Sequence, residues 1–291
     1  MRTQKISFPN QQTPCVFADD PASLAQAITS LGLDGGYPVI MLIGGEIEEA
    51  HVAVTRDALR TLARIAEDTS ALVISGGTDM GVMAEIGQIR TLNDHHFPLV
   101  GIAPEALVTW PEGPDGTNFL WWGKKRSMLA PNYSHFILVP GSEFEDAMPW
   151  MIAAAAQFSK GHPSVTILVN GGNVFRKNVE LNIENGHPVI ALGGTGHLAN
   201  DLAGDPNRSS LISIIPANAE SRITEAVHAA ISARGKGAQL DQHAAAQPDP
   251  FMEAGEPLPS EQTPVFISKR DEFSPINSDK STRRIPESFI K

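Results

Sequence analysis

"VISGGTDMGVM", residues 73–83, is an apolar, β-branched run that enters two glycines and then a helical pattern. Glycine permits the positive φ of a tight turn. Amides at the start of a helix also form a cradle for phosphate, favoured by the helix dipole. The element recurs at "YPVIMLIGG" (37–45), "SVTILVNGG" (164–172) and "PVIALGGTG" (188–196). Further buried-strand runs stand at 97–104, 134–141 and 211–216. Between the strands lie helical patterns at 50–68, 79–93, 143–159, 174–185 and 219–234, and another helix begins at Asp20-Pro21, where Asp caps and Pro suits the first turn.

Near-continuous apolar strands alternating with helices predict an α/β, Rossmann-like fold. It has a mainly parallel sheet of six or more strands with helices on both faces. From about Gly235 the composition turns rich in Pro, Gln, Glu and Ala. The expected division is a nucleotide-binding domain over 1–235 and an irregular tail over 236–291, serving as linker or as a docking segment for a protein partner.

The chain has 291 residues, 42% of them hydrophobic and 19% charged, as in soluble globular proteins. No apolar run approaches the length that spans a bilayer, and the first residues lack the apolar core of a secretory signal. Cys15 is the only cysteine, so neither an intrachain disulfide nor a cysteine zinc site is available. These features predict a cytoplasmic protein. A formal net charge of −11 argues against nucleic acid and anionic membranes as partners. The histidines show no metal spacing except His95-His96, whose side chains fall on opposite faces or in a loop, and no metal site is expected.

In a parallel sheet the C-terminal strand ends share one edge, where ligands of open α/β sheets bind. The four doublets, Gly44-Gly45, Gly76-Gly77, Gly171-Gly172 and Gly193-Gly194, are therefore expected to converge. Gly76 and Gly77 are expected in conformations closed to side chains, with the amides of 77–79 on the cleft floor. Thr78 and Thr195 are placed to cap helices or bond phosphate, and Asn170 and Asn173 flank the third doublet. Gly196 completes the last turn. Arg176 and Lys177 stand within reach of an anion. Glu46, Asp79, Glu85 and Glu180 are carboxylates near the same edge, suited to a ribose hydroxyl or to the first turn of a helix. Val82 and Met83 are expected to pack the helix without touching a ligand. Neither the P-loop pattern nor a Gly-x-Gly-x-x-Gly after the first strand occurs.

"SGGTDMGVM" (75–83), "PLVGIAPEALV" (98–108), "LAPNYSHFILV" (129–139), "NGGNVFRKNVE" (170–180) and "GHPVIALGGTGHLANDL" (186–202) together resemble the SLOG superfamily. The resemblance is to its LSDAT branch, which includes the cytosolic N-terminal domain of melastatin-type transient receptor potential channels and stand-alone prokaryotic relatives. Tyr133 stands where the channel pattern has histidine. The resemblance covers about residues 35–235 and implies a Rossmann-like fold that binds nucleotide derivatives, with an ADP-ribose-like or NAD-related molecule as ligand and common self-association. Enzymatic cousins, the phosphoribohydrolases, carry Pro-Gly-Gly-x-Gly-Thr-x-x-Glu. In this chain Asn170 replaces the proline, Val174 and Phe175 replace Gly-Thr, and Glu180 falls two residues late. The departure favours a binder and sensor of a nucleotide-derived ligand. The alternatives are a nucleoside-phosphate N-glycosidic hydrolase using Glu180 or Glu85, and an interaction module with a vestigial pocket.

Overall fold

The seven apolar runs fold as neighbouring strands of one sheet, because each has side chains to bury on both faces. The computed structural model describes residues 1–111, 113, 126–172 and 174–232. Asn173 and the 236–291 segment lie outside the described residues. The described residues all belong to one compact unit.

The chain opens with a hairpin, β1 (Arg2–Phe8) and β2 (Gln11–Phe17). A short turn follows, in which Asp20 Oδ1 accepts from the Ser23 amide at 2.9 Å, with Pro21 at its first position. It leads into α1 (Leu24–Ser30). Then come β3 (Val39–Gly44), α2 (Val52–Asp68), β4 (Leu72–Ser75), α3 (Gly81–Leu92) and β5 (Leu99–Pro104). Two short strands, β6 (Val108–Thr109) and β7 (Ser127–Met128), pair with each other. The second half runs β8 (His135–Val139), α4 (Ala147–Ser159), β9 (Ser164–Val169), α5 (Val174–Glu184), β10 (Val189–Gly193), α6 (His197–Gly204), β11 (Ile212–Pro216) and α7 (Glu220–Ser232).

The nine-stranded sheet has the order β1-β2-β8-β5-β4-β3-β9-β10-β11. Only the β1–β2 pair is antiparallel; the others are parallel. Along β3, Ile40 and Leu42 join one core and Val39, Met41 and Ile43 the other. Helices α2, α3 and α7 cover the first face, and α1, α4, α5 and α6 the second. This is the doubly covered parallel sheet that the apolar runs predict. The four strands that end in the glycine turns are adjacent, in the order β4-β3-β9-β10.

The β1–β2 hairpin, the β6–β7 pair and helix α6 were not expected. The hairpin escaped notice because β1 is an edge strand whose burial alternates, with Ile6 and Phe8 inward and Arg2, Thr3 and Lys5 outward. Helix α6 is only eight residues long and starts at His197, a non-glycine residue at φ 41°.

Candidate functional site

From β3 the chain proceeds to β4 on one side and returns by β9 on the other. The crevice at such a reversal of strand order is where open α/β sheets take ligands. A cavity of about 380 Å³ opens there. Gly44, Gly45 and Gly76 line it from the turns after β3 and β4. Met80 and Met83 reach it from the start of α3, Met148 and Met151 from α4, and Phe175 and Asn178 from α5. Phe144, Glu143 and Glu145 come from the turn before α4, and Glu46 from the turn after β3.

Close backbone packing shapes the floor. A Cβ on Gly44 would lie 2.4 Å from the Val169 carbonyl oxygen. Gly81, at φ 49°, would place one 2.1 Å from the Gly45 oxygen, which also accepts from the Val82 amide at 3.1 Å. The turns after β3 and β4 are thus locked together through Gly45 and Gly81, a residue that the doublets did not single out.

The first turn differs from expectation in several ways. Gly77 has a φ of 71°, and a Cβ there would meet Gly101 Cα at 2.7 Å. Gly76 has no such φ and only Met83 Cγ near, at 3.9 Å, so neither conformation nor close packing requires glycine there. The Asp79 amide donates to the Met128 carbonyl at 2.7 Å and is not offered to the cleft. Asp79 itself is exposed and outside the cavity lining. Thr78 lines the cavity but caps nothing, since α3 begins after Met80 without a side-chain cap. Met83 faces the cavity as well as packing its helix, which corrects its expected role; Val82 is fully buried. Tyr133, fully buried, shares a 2.5 Å hydrogen bond with the Ser75 hydroxyl and donates to the Met83 carbonyl at 3.2 Å. Burial pushes its phenol well above the usual range.

The other two glycine turns are spent on each other. Asn170, buried at φ 62°, donates its backbone amide to the Thr195 hydroxyl oxygen at 2.7 Å, and its carbonyl accepts from the Ala199 amide at 3.0 Å. Its Nδ2 donates to the Glu46 carbonyl at 2.5 Å. The Leu198 amide donates to the Gly171 carbonyl, and the Gly194 amide to Asn200 Oδ1. Thr195 donates to the Leu192 carbonyl at 2.7 Å, so it neither caps α6 nor faces a ligand. Helix α6 is preceded instead by Gly196, without a side-chain cap. Of the amides expected to cradle phosphate, those of Asp79 and Gly194 have protein acceptors. Gly171, Gly172, Gly193, Gly194 and Gly196 share the edge but not the cavity lining.

The charged candidates also separate. Arg176 turns toward Asp201 of α6, with nitrogen and oxygen 4.0 Å apart, and Lys177 is exposed. Glu85 is held by Arg56 of α2 at 2.6 and 3.0 Å, away from the cavity. Glu180 is exposed and lines no part of it. Neither candidate base stands at the cavity. Glu46 does.

Sequence reading missed the helix-borne lining: Met148, Met151, Phe175 and Asn178. The Met148 and Met151 side of α4 shows no polar face in sequence and reads as core. A signal was present in Pro140-Gly141, a strand-ending turn at the same edge but without a doublet. No helix among the described residues is long and apolar enough to cross a membrane. No group of His, Cys, Asp or Glu among them has metal-holding geometry.

Two similarities to known proteins are found. The sequence profile described as "SLOG in TRPM, prokaryote" matches residues 37–233, from the entry to β3 through α7. A solved structure named TM1055, an X-ray structure from the Northeast Structural Genomics Consortium, is 19% identical with a TM-score of 0.44. The alignment covers 65% of this chain and 98% of that one.

Proposed function

Because the chain belongs to the prokaryotic family of SLOG domains in TRPM, we propose that it binds a nucleotide-derived small molecule, ADP-ribose-like or NAD-related, at the C-terminal edge of its sheet. The observation that carries this reading is the 380 Å³ cavity at the β3 reversal, floored by Gly44, Gly45 and Gly76. Its size suits a nucleoside, and it combines apolar walls with few polar groups, as small-molecule sites do. Its lining holds three carboxylates and, among the described residues, no Lys, Arg or His. Like charges about 4 Å apart repel by about 4 kcal/mol at an effective dielectric of about 20. The nucleoside end therefore enters the cavity, and the phosphates remain at its mouth. Ribose hydroxyls are suitable donors to the Glu46 and Glu145 carboxylates.

Those same carboxylates favour a second reading, N-glycosidic hydrolysis, since a general acid or base must be within hydrogen-bond reach of the reacting atom. A thermal-shift series with ADP-ribose, NAD, AMP and adenosine tests the binding reading. A ligand that binds only the folded state raises the melting temperature. A flat response to all four removes it. Chromatography of the same mixtures over time separates the two readings: released base indicates hydrolysis, and intact ligand indicates binding alone.

A further inference from the structure

We infer that Met80 is an oxidation site at the cavity rim: a peroxide converts its thioether to the sulfoxide, and the change weakens ligand binding. The loss of affinity rests on the nucleotide-derived ligand proposed above; the oxidation does not. Methionine is oxidised where a peroxide can reach its sulfur. Met80 is 41% exposed and lines the cavity. Its sulfur accepts a hydrogen bond from the Ser127 hydroxyl at 3.6 Å, and Ser127 lines the same cavity, so the thioether itself stands at the wall. The other methionines of the lining are less accessible: Met83 is half-buried, and Met148 and Met151 are buried. Met128 is as exposed as Met80, at 43%, but is not part of the lining.

The sulfur lone pair attacks one oxygen of hydrogen peroxide, the O–O bond breaks and an S–O bond forms. The proton of the transferred oxygen passes to the departing hydroxide, which leaves as water. Sulfur is oxidised by two electrons and the peroxide is reduced. The product replaces a flexible apolar group by a polar one. The Ser127 hydroxyl, already at the sulfur, is in place to donate to the new oxygen. A ligand ring gains favourable contacts from a thioether that a hydrated sulfoxide does not offer. The backbone cannot easily withdraw the modified side chain. On one side the Asp79 amide is bonded to the Met128 carbonyl at 2.7 Å. On the other, Gly81 is packed against Gly45, and the Ala84 amide donates to the Met80 carbonyl at 3.2 Å. The oxygen is therefore added at a fixed point of the rim.

Peptide mass spectrometry of the full chain across a hydrogen peroxide series should show Met80 sulfoxide forming at least about tenfold faster than Met148 or Met151 sulfoxide. Equal rates overturn the site. Calorimetric titration with ADP-ribose before and after treatment should show affinity falling at least about tenfold, in step with the Met80 sulfoxide fraction. Met128→Leu should lose affinity to the same extent. Met80→Leu, whatever its starting affinity, should lose less than about twofold on treatment, since leucine is similar in volume and has no sulfur. A loss that persists in Met80→Leu, or an unchanged affinity once Met80 is oxidised, overturns its control of the cavity while leaving nucleotide binding intact. An untreated chain that binds no nucleotide in the thermal-shift series overturns the proposed ligand and the loss of affinity together. The mass spectra alone then decide whether Met80 is the oxidation site.

Discussion

Gly76 and Gly81 lie five positions apart, and only Gly81 is held to glycine by its backbone surroundings. Gly81 combines a left-handed φ of 49° with a clash of 2.1 Å against the Gly45 carbonyl, so any Cβ must move backbone. Gly81→Ala should cost roughly 2–4 kcal/mol, from strain and forced displacement together. Gly76 has room for a methyl and no unusual φ. Gly76→Val should change stability little but project into the cavity and weaken ligand binding at least tenfold. Urea unfolding and calorimetric titration of both variants check the pair. Equal loss of stability in both would remove the distinction. Sequence made the doublets visible, yet it could not rank their members, because φ and close approach depend on what faces each glycine. Gly81 owes its constraint to Gly45, on another strand's turn.

At the scale of the element, burial and a neighbouring charge of α3 act together on the start of β8. His135 opens β8, with Nδ1 2.9 Å from Ser134 Oγ. Burial, helped by the nearby Arg90 charge of α3, lowers its pKa from 6.5 to about 4. The unfolded chain therefore binds this proton first. The contribution is fully present above pH 6.5 and is lost as pH falls from there toward 4. Between about pH 7 and about pH 5 the loss from this residue should be about 2 kcal/mol. His135→Gln should flatten that slope in urea unfolding, and an unchanged slope refutes the assignment. Burial also depresses His187 in the same direction, so some slope should remain. The helices and parallel strands around β8 were legible because their apolar periods are long and unbroken. Helix α6 was not, since eight residues carry little period and its first turn is set by bonds to Asn170 and Gly171. The cavity walls on α4 and α5 stayed hidden for a related reason: an apolar side chain facing a cavity has the same sequence pattern as one facing a core.

Across the whole molecule, the family match begins at residue 37, yet the hairpin before it is part of the core. Ile6, Phe8, Cys15 and Phe17 join the cluster beneath α2, α3 and α7, and Arg2 lies 3.5 Å over the Phe17 ring. Burying a large apolar side chain is worth about 1.5–3 kcal/mol, and a domain's net stability is about 5–15 kcal/mol. Removing residues 1–19 should therefore abolish cooperative folding or cause aggregation, because β8 would also become an open edge. A truncated chain that is monomeric and melts at the full-length temperature would contradict this.

The strand order carries a kinetic consequence. Val39 pairs with Leu72 on one side and with Ser164 on the other. The first partner is close along the chain, and the second lies beyond an excursion through β4, β5 and β8. Pairing remote segments requires closing a long loop before any contact rewards it, which slows that step. The half-sheet β3-β4-β5 can assemble from nearer pieces, whereas β9 docks against β3 only when the long excursion returns. The cavity needs both halves, since Phe175 and Asn178 arrive with the segment after β9. The cavity should therefore form only after β9 has docked, and nucleotide added to a refolding chain should speed no earlier step.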